Sequence, residues 1–192
     1  MRAFIGLDFS NQLKEELHEI QKNIITNSKR GNWVPLSNFH ITLKFLGDIN
    51  ENQIDEIDNI IKPIAYNTSP VFITLDKLGY FNLRNNQYGV IWIGIEGETM
   101  KINSIYDIIE EEMKTIGFPM EKRKFTPHIT LGRRVKLNPS FNELSECINH
   151  KLGIEFILDN LTLMKSEEIM KKRVYTPIKS YKFRDILEKN HR

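Results

Sequence analysis

The chain has a single cysteine, Cys147, among its 192 residues, so no disulfide can form within it. A lone thiol fits the reducing cytoplasm better than an oxidising compartment. There is no cysteine pair and no closely spaced pair among the five histidines, so the usual zinc-ligand spacings are missing. No metal or other cofactor is expected. Long apolar runs are also missing. No stretch approaches the roughly 20 residues that a membrane-spanning helix needs. The start, MRAFIGLDFSNQ, turns polar where a secretory segment would have to stay apolar. Charge of one sign is scarce as well: 27 basic and 25 acidic residues give a net charge of +2, so any phosphate-binding patch must be local. What is left is an ordinary globular composition, 40% hydrophobic and 27% charged, in a length that suits one domain or two small lobes on one core.

Against this plain background one pattern recurs. The tetrapeptide His-Ile-Thr-Leu occurs at 40–43 and again at 128–131, an offset of 88. The same offset carries Gly6 in FIGLDFS onto Gly94 in WIGIEGE. Both runs lead into helical patterns, Leu13, Leu17, Ile20 and Ile24 in one and Ile102, Ile105, Ile109 and Met113 in the other. Asp8–Ser10 and Thr99 offer N-caps, and Gly117 before Phe118-Pro119 offers a stop. After each His-x-Thr strand comes a further helical pattern, 50–65 up to Pro63 and 138–153 from Pro139 to Gly153. Strands follow at 71–81 and 154–166, and a last one at 174–183. A period of 88 is too long for a solenoid. It predicts a duplicated α+β fold, a single two-lobed domain over 1–192 with halves at roughly 1–88 and 89–192. Antiparallel sheets flanked by helices would be related by a pseudo-twofold axis, which would bring the two motifs together in a central cleft.

In a strand, residues two apart share a face. His40 and Thr42 therefore lie together, as do His128 and Thr130, while Ile41, Leu43, Ile129 and Leu131 face the other way for packing. Phe45 or its neighbours would join that packing. Packing alone would accept Val or Phe at both histidine positions, so the doubled imidazole reads as chemistry. One imidazole can take a proton from a nucleophile while the other gives one to a leaving oxygen. Hydroxyls between them can hold phosphate oxygens without adding charge. Arg133 and Arg134 follow the second motif, and Lys122, Arg123 and Lys124 precede it. Regular alternation puts Arg134 on the histidine face, and Arg133 there only if the strand bends. Trp33 and Phe39 precede the first motif, where each is either a stacking platform for a base or part of the core. The runs EKRK at 121–124 and MKKR at 170–173 also read as solvated turns. Cys147 reads as a small buried apolar residue, and Lys44 carries no signal. His18, His150 and His191 stand outside any motif.

FHITLKFLG and PHITLGR, preceded by NW and GF, resemble the 2H phosphoesterases, and among them the bacterial and archaeal RNA 2′,3′-cyclic phosphodiesterases, also called 2′-5′ RNA ligases. The similarity extends to MRAFIGLDF, LGYF at 78–81, VIWIGIEG at 90–97 and LMKSE with RVYTPIKSYKF. It implies a two-lobed α+β fold with both motifs in a central cleft. It further implies metal-independent opening of an RNA 2′,3′-cyclic phosphate to a 2′-phosphate, and in some members reversible 2′-5′ joining of tRNA fragments. His40 would be the proton donor to the leaving 3′ oxygen, and His128 the base that activates water. Thr42 and Thr130 would hold the phosphate, with Arg133 as the basic residue after the second motif and Arg123 and Trp33 as further substrate contacts. The family often has a basic residue before the proline of the second motif, where this chain has Thr126. The partner would be RNA, acted on by a monomer. Two other readings remain: a cyclic phosphodiesterase for small nucleotides such as ADP-ribose cyclic phosphate, and a non-catalytic nucleotide- or RNA-binding module.

Overall fold

The computed structural model describes residues 1–184, so His191 lies outside the described residues. The chain begins with β1 (Arg2–Asp8), α1 (Asn11–Thr26), β2 (Ser28–Trp33), β3 (His40–Asp48), α2 (Glu51–Tyr66) and β4 (Val71–Arg84). It continues with β5 (Gln87–Gly97), α3 (Thr99–Thr115), β6 (His128–Leu137), α4 (Phe141–Asn149), β7 (Glu155–Leu158), β8 (Asn160–Ile169) and β9 (Lys172–Lys182). This is the expected α+β architecture. Two antiparallel sheets form, in the orders β3-β1-β8-β9 and β2-β6-β5-β4-β7. Among the described residues no helix is long and apolar enough to cross a membrane.

The sheets are not the two halves of the sequence. β8 comes from the second half yet pairs with β1, while β4 and β2 come from the first half yet pair with β5 and β6. The run expected as one strand over 154–166 breaks at Asp159. β7 joins β4 in one sheet and β8 joins β1 in the other, so one alternating segment serves both. β2 was not foreseen, because SKRGNW has no alternating apolar face.

The helices follow their caps and apolar stripes. Ser10 accepts from the Leu13 amide and starts α1, whose Leu17, Ile20 and Ile24 are fully buried. Asn50 with Gln53, and Ser140 with Glu143, form capping boxes for α2 and α4. α2 does not stop at Pro63. It loses one backbone bond there but continues to Tyr66, held by buried Ile61 and Ala65 and by the Thr68 hydroxyl on the Ile64 carbonyl. Thr99 is the first helical residue of α3 rather than its cap, since Glu98 occupies the cap position. Cys147 is exposed, because the buried stripe of α4 runs through Leu144 and Ile148.

Lys44 is the largest departure from expectation. It is buried on β3, with Nζ 2.7 Å from Glu110 Oε1 of α3 and 2.9 Å from the Pro119 carbonyl. The other Glu110 oxygen accepts from the Glu121 amide at 2.8 Å. This pair ties β3 of the first half to α3 and to the loop that leads into β6. Each charge is compensated only by the other and by backbone groups, so removing one leaves its partner unpaired in a low-dielectric setting. Lys44→Ala should therefore destabilise the fold by about 3–5 kcal/mol, measured by urea unfolding. Lys44→Met combined with Glu110→Leu should recover most of that loss. Equal destabilisation by the single and double variants would contradict the account.

Candidate active site

Each motif histidine opens a strand and is held in the same way. The turn Leu36–Asn38 precedes β3, and buried Asn38 is anchored by its carboxamide, which donates to the Arg173 carbonyl at 2.8 Å. The Asn38 carbonyl accepts from His40 Nδ1 at 2.7 Å. The Thr126 carbonyl accepts from His128 Nδ1 at 2.7 Å. A carbonyl can only accept, so both neutral imidazoles carry their proton on Nδ1 and leave Nε2 as the free lone pair. The second bond uses the backbone of Thr126 and is indifferent to its side chain. His40 Nε2 meets Thr42 Oγ1 at 2.7 Å, with the hydroxyl donating.

Both motif strands depart from regular alternation at the same point. On β1, Gly6 pairs with Thr42 and Phe4 with Phe45, so Leu43 and Lys44 fill a step that one residue would fill in a regular ladder. On β5, Trp92 pairs with Thr130 and Val90 with Arg133, so Leu131 and Gly132 do the same on β6. Each bulge puts the residue three beyond the threonine on the histidine face. Arg133 is therefore the arginine beside the motif, and Arg134, with φ 53, is displaced from it. The Arg133 charge lies near enough to His40 as well as His128 to lower both pKa values, which brings the two motifs into one electrostatic neighbourhood. Phe45 is not a core residue: it is 70% exposed on the face of His40 and Thr42. The bulge sends Lys44 inward in its place.

The pairing also corrects the repeat. Gly6 lies opposite Thr42 where Trp92 lies opposite Thr130, so Gly6 corresponds to Trp92 rather than to Gly94. Asp8 and Gly94 are the residues opposite the two histidines. Gly6 is needed because a Cβ there would lie 2.7 Å from the Ile41 carbonyl oxygen and 3.4 Å from the His40 ring.

Aromatic rings flank both imidazoles. Phe4 and Tyr175 lie 4.7 and 5.3 Å from His40 between ring centres, and Phe81 lies 5.1 Å from His128 with Trp92 at 6.0 Å. None of the four was foreseen, since β1, β4, β5 and β9 bring them in from distant sequence. Desolvation by these surroundings pulls the His40 pKa down to about 4, against smaller upward effects of the Asn38 bond and the Asp8 charge. The His128 pKa is lowered too, mainly by burial.

Other expected contacts are not brought to the histidines. Phe39 is 1% exposed and belongs to the core. Trp33 pairs with Gly132, and its ring covers Gly132 and Gly31 beside buried Val135, on the face away from the cleft. Arg123 is solvent-exposed and turned onto Glu121, 3.4 Å away. A cavity of about 520 Å³ beside Trp92, Lys77 and Pro127 includes neither motif histidine in its lining. Among the described residues no three imidazole, thiol or carboxylate groups gather as a metal site requires.

The family described as LigT like Phosphoesterase matches the chain twice, over residues 7–92 and 93–175. A Thermotoga maritima protein named RNA 2′,3′-cyclic phosphodiesterase is 32% identical over 86% of this chain and 87% of its own. A Methanocaldococcus jannaschii protein of the same name is 32% identical over 94% of this chain and 100% of its own. The crystal structure of a Thermus thermophilus protein superposes with a TM-score of 0.80 at 23% identity, covering 97% of this chain and 100% of that one. That of E. coli LigT complexed with 3′-AMP gives 0.76 at 22%, covering 95% and 97%. At such identities the two structures bear on the fold alone.

Imidazole ¹⁵N resonances followed with pH should show His40 titrating at about 4 and His128 below its usual 6.5, both neutral rings protonated on Nδ1. An Nε2–H tautomer at either ring would contradict the geometry. Gly6→Ala should shift the His40 resonances and leave those of His128 in place. Because the unfolded chain binds protons more readily than folded His40, this group's stabilisation is present above pH 6.5 and is lost as pH falls toward 4.

Proposed function

The chain belongs to the LigT-like phosphoesterase family, and we propose that it opens the terminal 2′,3′-cyclic phosphate of RNA to a 2′-phosphate without a metal ion. The observation that supports this best is the pair of imidazoles, each fixed through Nδ1–H to a backbone carbonyl so that Nε2 is the acceptor, which at His40 takes the Thr42 hydroxyl. In this reading His128 takes a proton from water as its oxygen bonds to phosphorus. The bond from phosphorus to O3′ breaks, and His40 gives its proton to that oxygen. Thr42 and Thr130 donate to the non-bridging oxygens, and Arg133 offsets the charge that gathers there. Exposed Phe45 supplies a flat ring on the same face for the terminal base. A 5′-hydroxyl in place of the water would give a 2′-5′ linkage by the same proton transfers. The lone cysteine suits a cytoplasmic location, and in this reading the protein acts there as a monomer.

The assay is a short RNA with a 2′,3′-cyclic end, in chelator, with identification of the product. His40→Ala and His128→Ala should each lower kcat/KM by about 10²–10⁴, and the double variant should fall little further than either single one. Wild-type rates in both, a need for divalent metal, or a 3′-phosphate product would sink the proposal. Turnover of a mononucleotide well above that of the RNA would favour the small-nucleotide reading.

The pH dependence follows from the two lowered pKa values. In the free protein His40 is protonated only toward pH 4 while His128 must be neutral, so the two requirements offset each other between the two pKa values and kcat/KM should decline as pH rises above both. A bound phosphate anion favours the imidazolium and raises the His40 pKa. The alkaline limb of kcat should therefore lie at higher pH than that of kcat/KM, and coincident limbs would contradict this.

A further inference from the structure

The net charge is small, yet the cations of β2 and β6 are gathered and unmatched. Among the described residues none of Arg30, Arg133, Arg134 and Lys136 has a carboxylate oxygen within 4.0 Å. Arg30 lies directly opposite Lys136, and Asn32 opposite Arg133. Cross-strand partners share a face. Arg133 is on the histidine face through its pairing with Val90, and Asn32 joins it there. Trp33, Gly31 and Val135 take the opposite face, which leaves Arg30 and Lys136 on the cleft side. A polar stripe thus runs from Thr130 through Arg133 and Asn32 to Lys136 and Arg30. The seven residues of β6 from Thr130 to Lys136 include the bulge and span about 17 Å, more than a mononucleotide occupies.

Two like charges directly opposite each other destabilise a sheet. Lysine and arginine on an edge strand do discourage edge-to-edge pairing, and β2 is an edge. That purpose explains a cation at Arg30 on the edge strand, but not the placing of a second cation, Lys136, directly opposite it. An anion lying between the two would turn the repulsion into attraction.

We infer that the β2–β6 stripe carries the RNA backbone upstream of the reacting end, with Arg30 and Lys136 holding phosphates that a mononucleotide lacks. This rests on the RNA reading above and adds the route of the strand. Contacts of this kind neutralise phosphates and release counterions, so they set the salt dependence of binding.

The test uses the double variant Arg30→Ala/Lys136→Ala, a fluorescein-labelled RNA octamer with a 2′,3′-cyclic end, and adenosine 2′,3′-cyclic phosphate. Binding of the octamer is followed by anisotropy across a salt series. The logarithmic salt slope should become shallower by about 1.4, roughly 0.7 for each lost contact to a single strand. The variant's kcat/KM on the mononucleotide should stay within about twofold of the unaltered protein. Its melting temperature should hold or rise as the opposed charges are removed. An unchanged salt slope, or an equal loss on octamer and mononucleotide, overturns the inference. The binding arm does not depend on turnover. If the unaltered protein cleaves neither substrate while the variant still shows the shallower slope, the hydrolytic reading fails and the stripe stands.

Discussion

The site depends on an exchange of strands between the two halves. Neither sheet can form from one half: the sheet of His40 needs β8 and β9 beside β1, and the sheet of His128 needs β4 beside β5 and β2 beside β6. Each catalytic candidate is therefore housed by the other half. His40 comes from the first half, and Tyr175 from β9 lies against it while the Arg173 carbonyl anchors the turn before it. His128 comes from the second half, and Phe81 from β4 lies against it. The desolvation that lowers both pKa values is partly a product of this exchange. The buried pair of Lys44 and Glu110 works in the same sense, tying β3 to the helix and loop that lead into the other motif strand.

Within that frame, one extra residue per motif strand decides what faces the cleft. Strict alternation would place Thr42 with Lys44 and Thr130 with Gly132. The bulges replace these by Phe45 and Arg133. The same step delivers Lys44 to its partner inside and leaves room at Gly132 for the Trp33 ring, 2.7 Å from where a Cβ would stand. A local irregularity of the backbone thus sets the electrostatics of the cleft, the inter-half ion pair and the packing behind β6.

The doubled His-x-Thr, the α+β class and most helices could be read directly, because they rest on identity of residues, on period and on caps. The exchange could not, since the strand run of 154–166 looks continuous and nothing local marks Asp159 as the point where it changes sheets. The bulges were invisible for a similar reason: a period of two is the only guide to a strand's faces, and it fails where one residue is added. That failure put Phe45 in the core and Arg134 in the cleft, and it hid the role of Lys44. β2 escaped because its residues are polar, although its Arg30 stands opposite Lys136 of β6 with neither cation paired to a carboxylate among the described residues. Phe4, Phe81, Trp92 and Tyr175 lie in stretches that resemble the family, but nothing in their spacing connects them with the histidines until the fold assembles them.

The two motifs share a backbone but not a setting, and the difference bears on the division of labour. Gly6 beside Thr42 lets β1 press close to His40, while its counterpart Trp92 stands beside Thr130. Phe45 stands on the first motif where Arg133 stands on the second. His40 is thereby the more desolvated imidazole, with its pKa pulled down to about 4, and it faces Asp8 across the strands. A depressed pKa in the empty site makes a group a poor acid store but a strong proton donor once it is charged. In the proposed reaction the anion that charges it is the substrate's own phosphate, so His40 would acquire its proton when there is a leaving oxygen to receive it. His128 is held toward the neutral form that a base requires mainly by burial and further by the Arg133 guanidinium, whose charge also lowers the His40 pKa. The asymmetry of the surroundings thus favours the donor at His40 and the acceptor at His128, an assignment that the repeat itself leaves open.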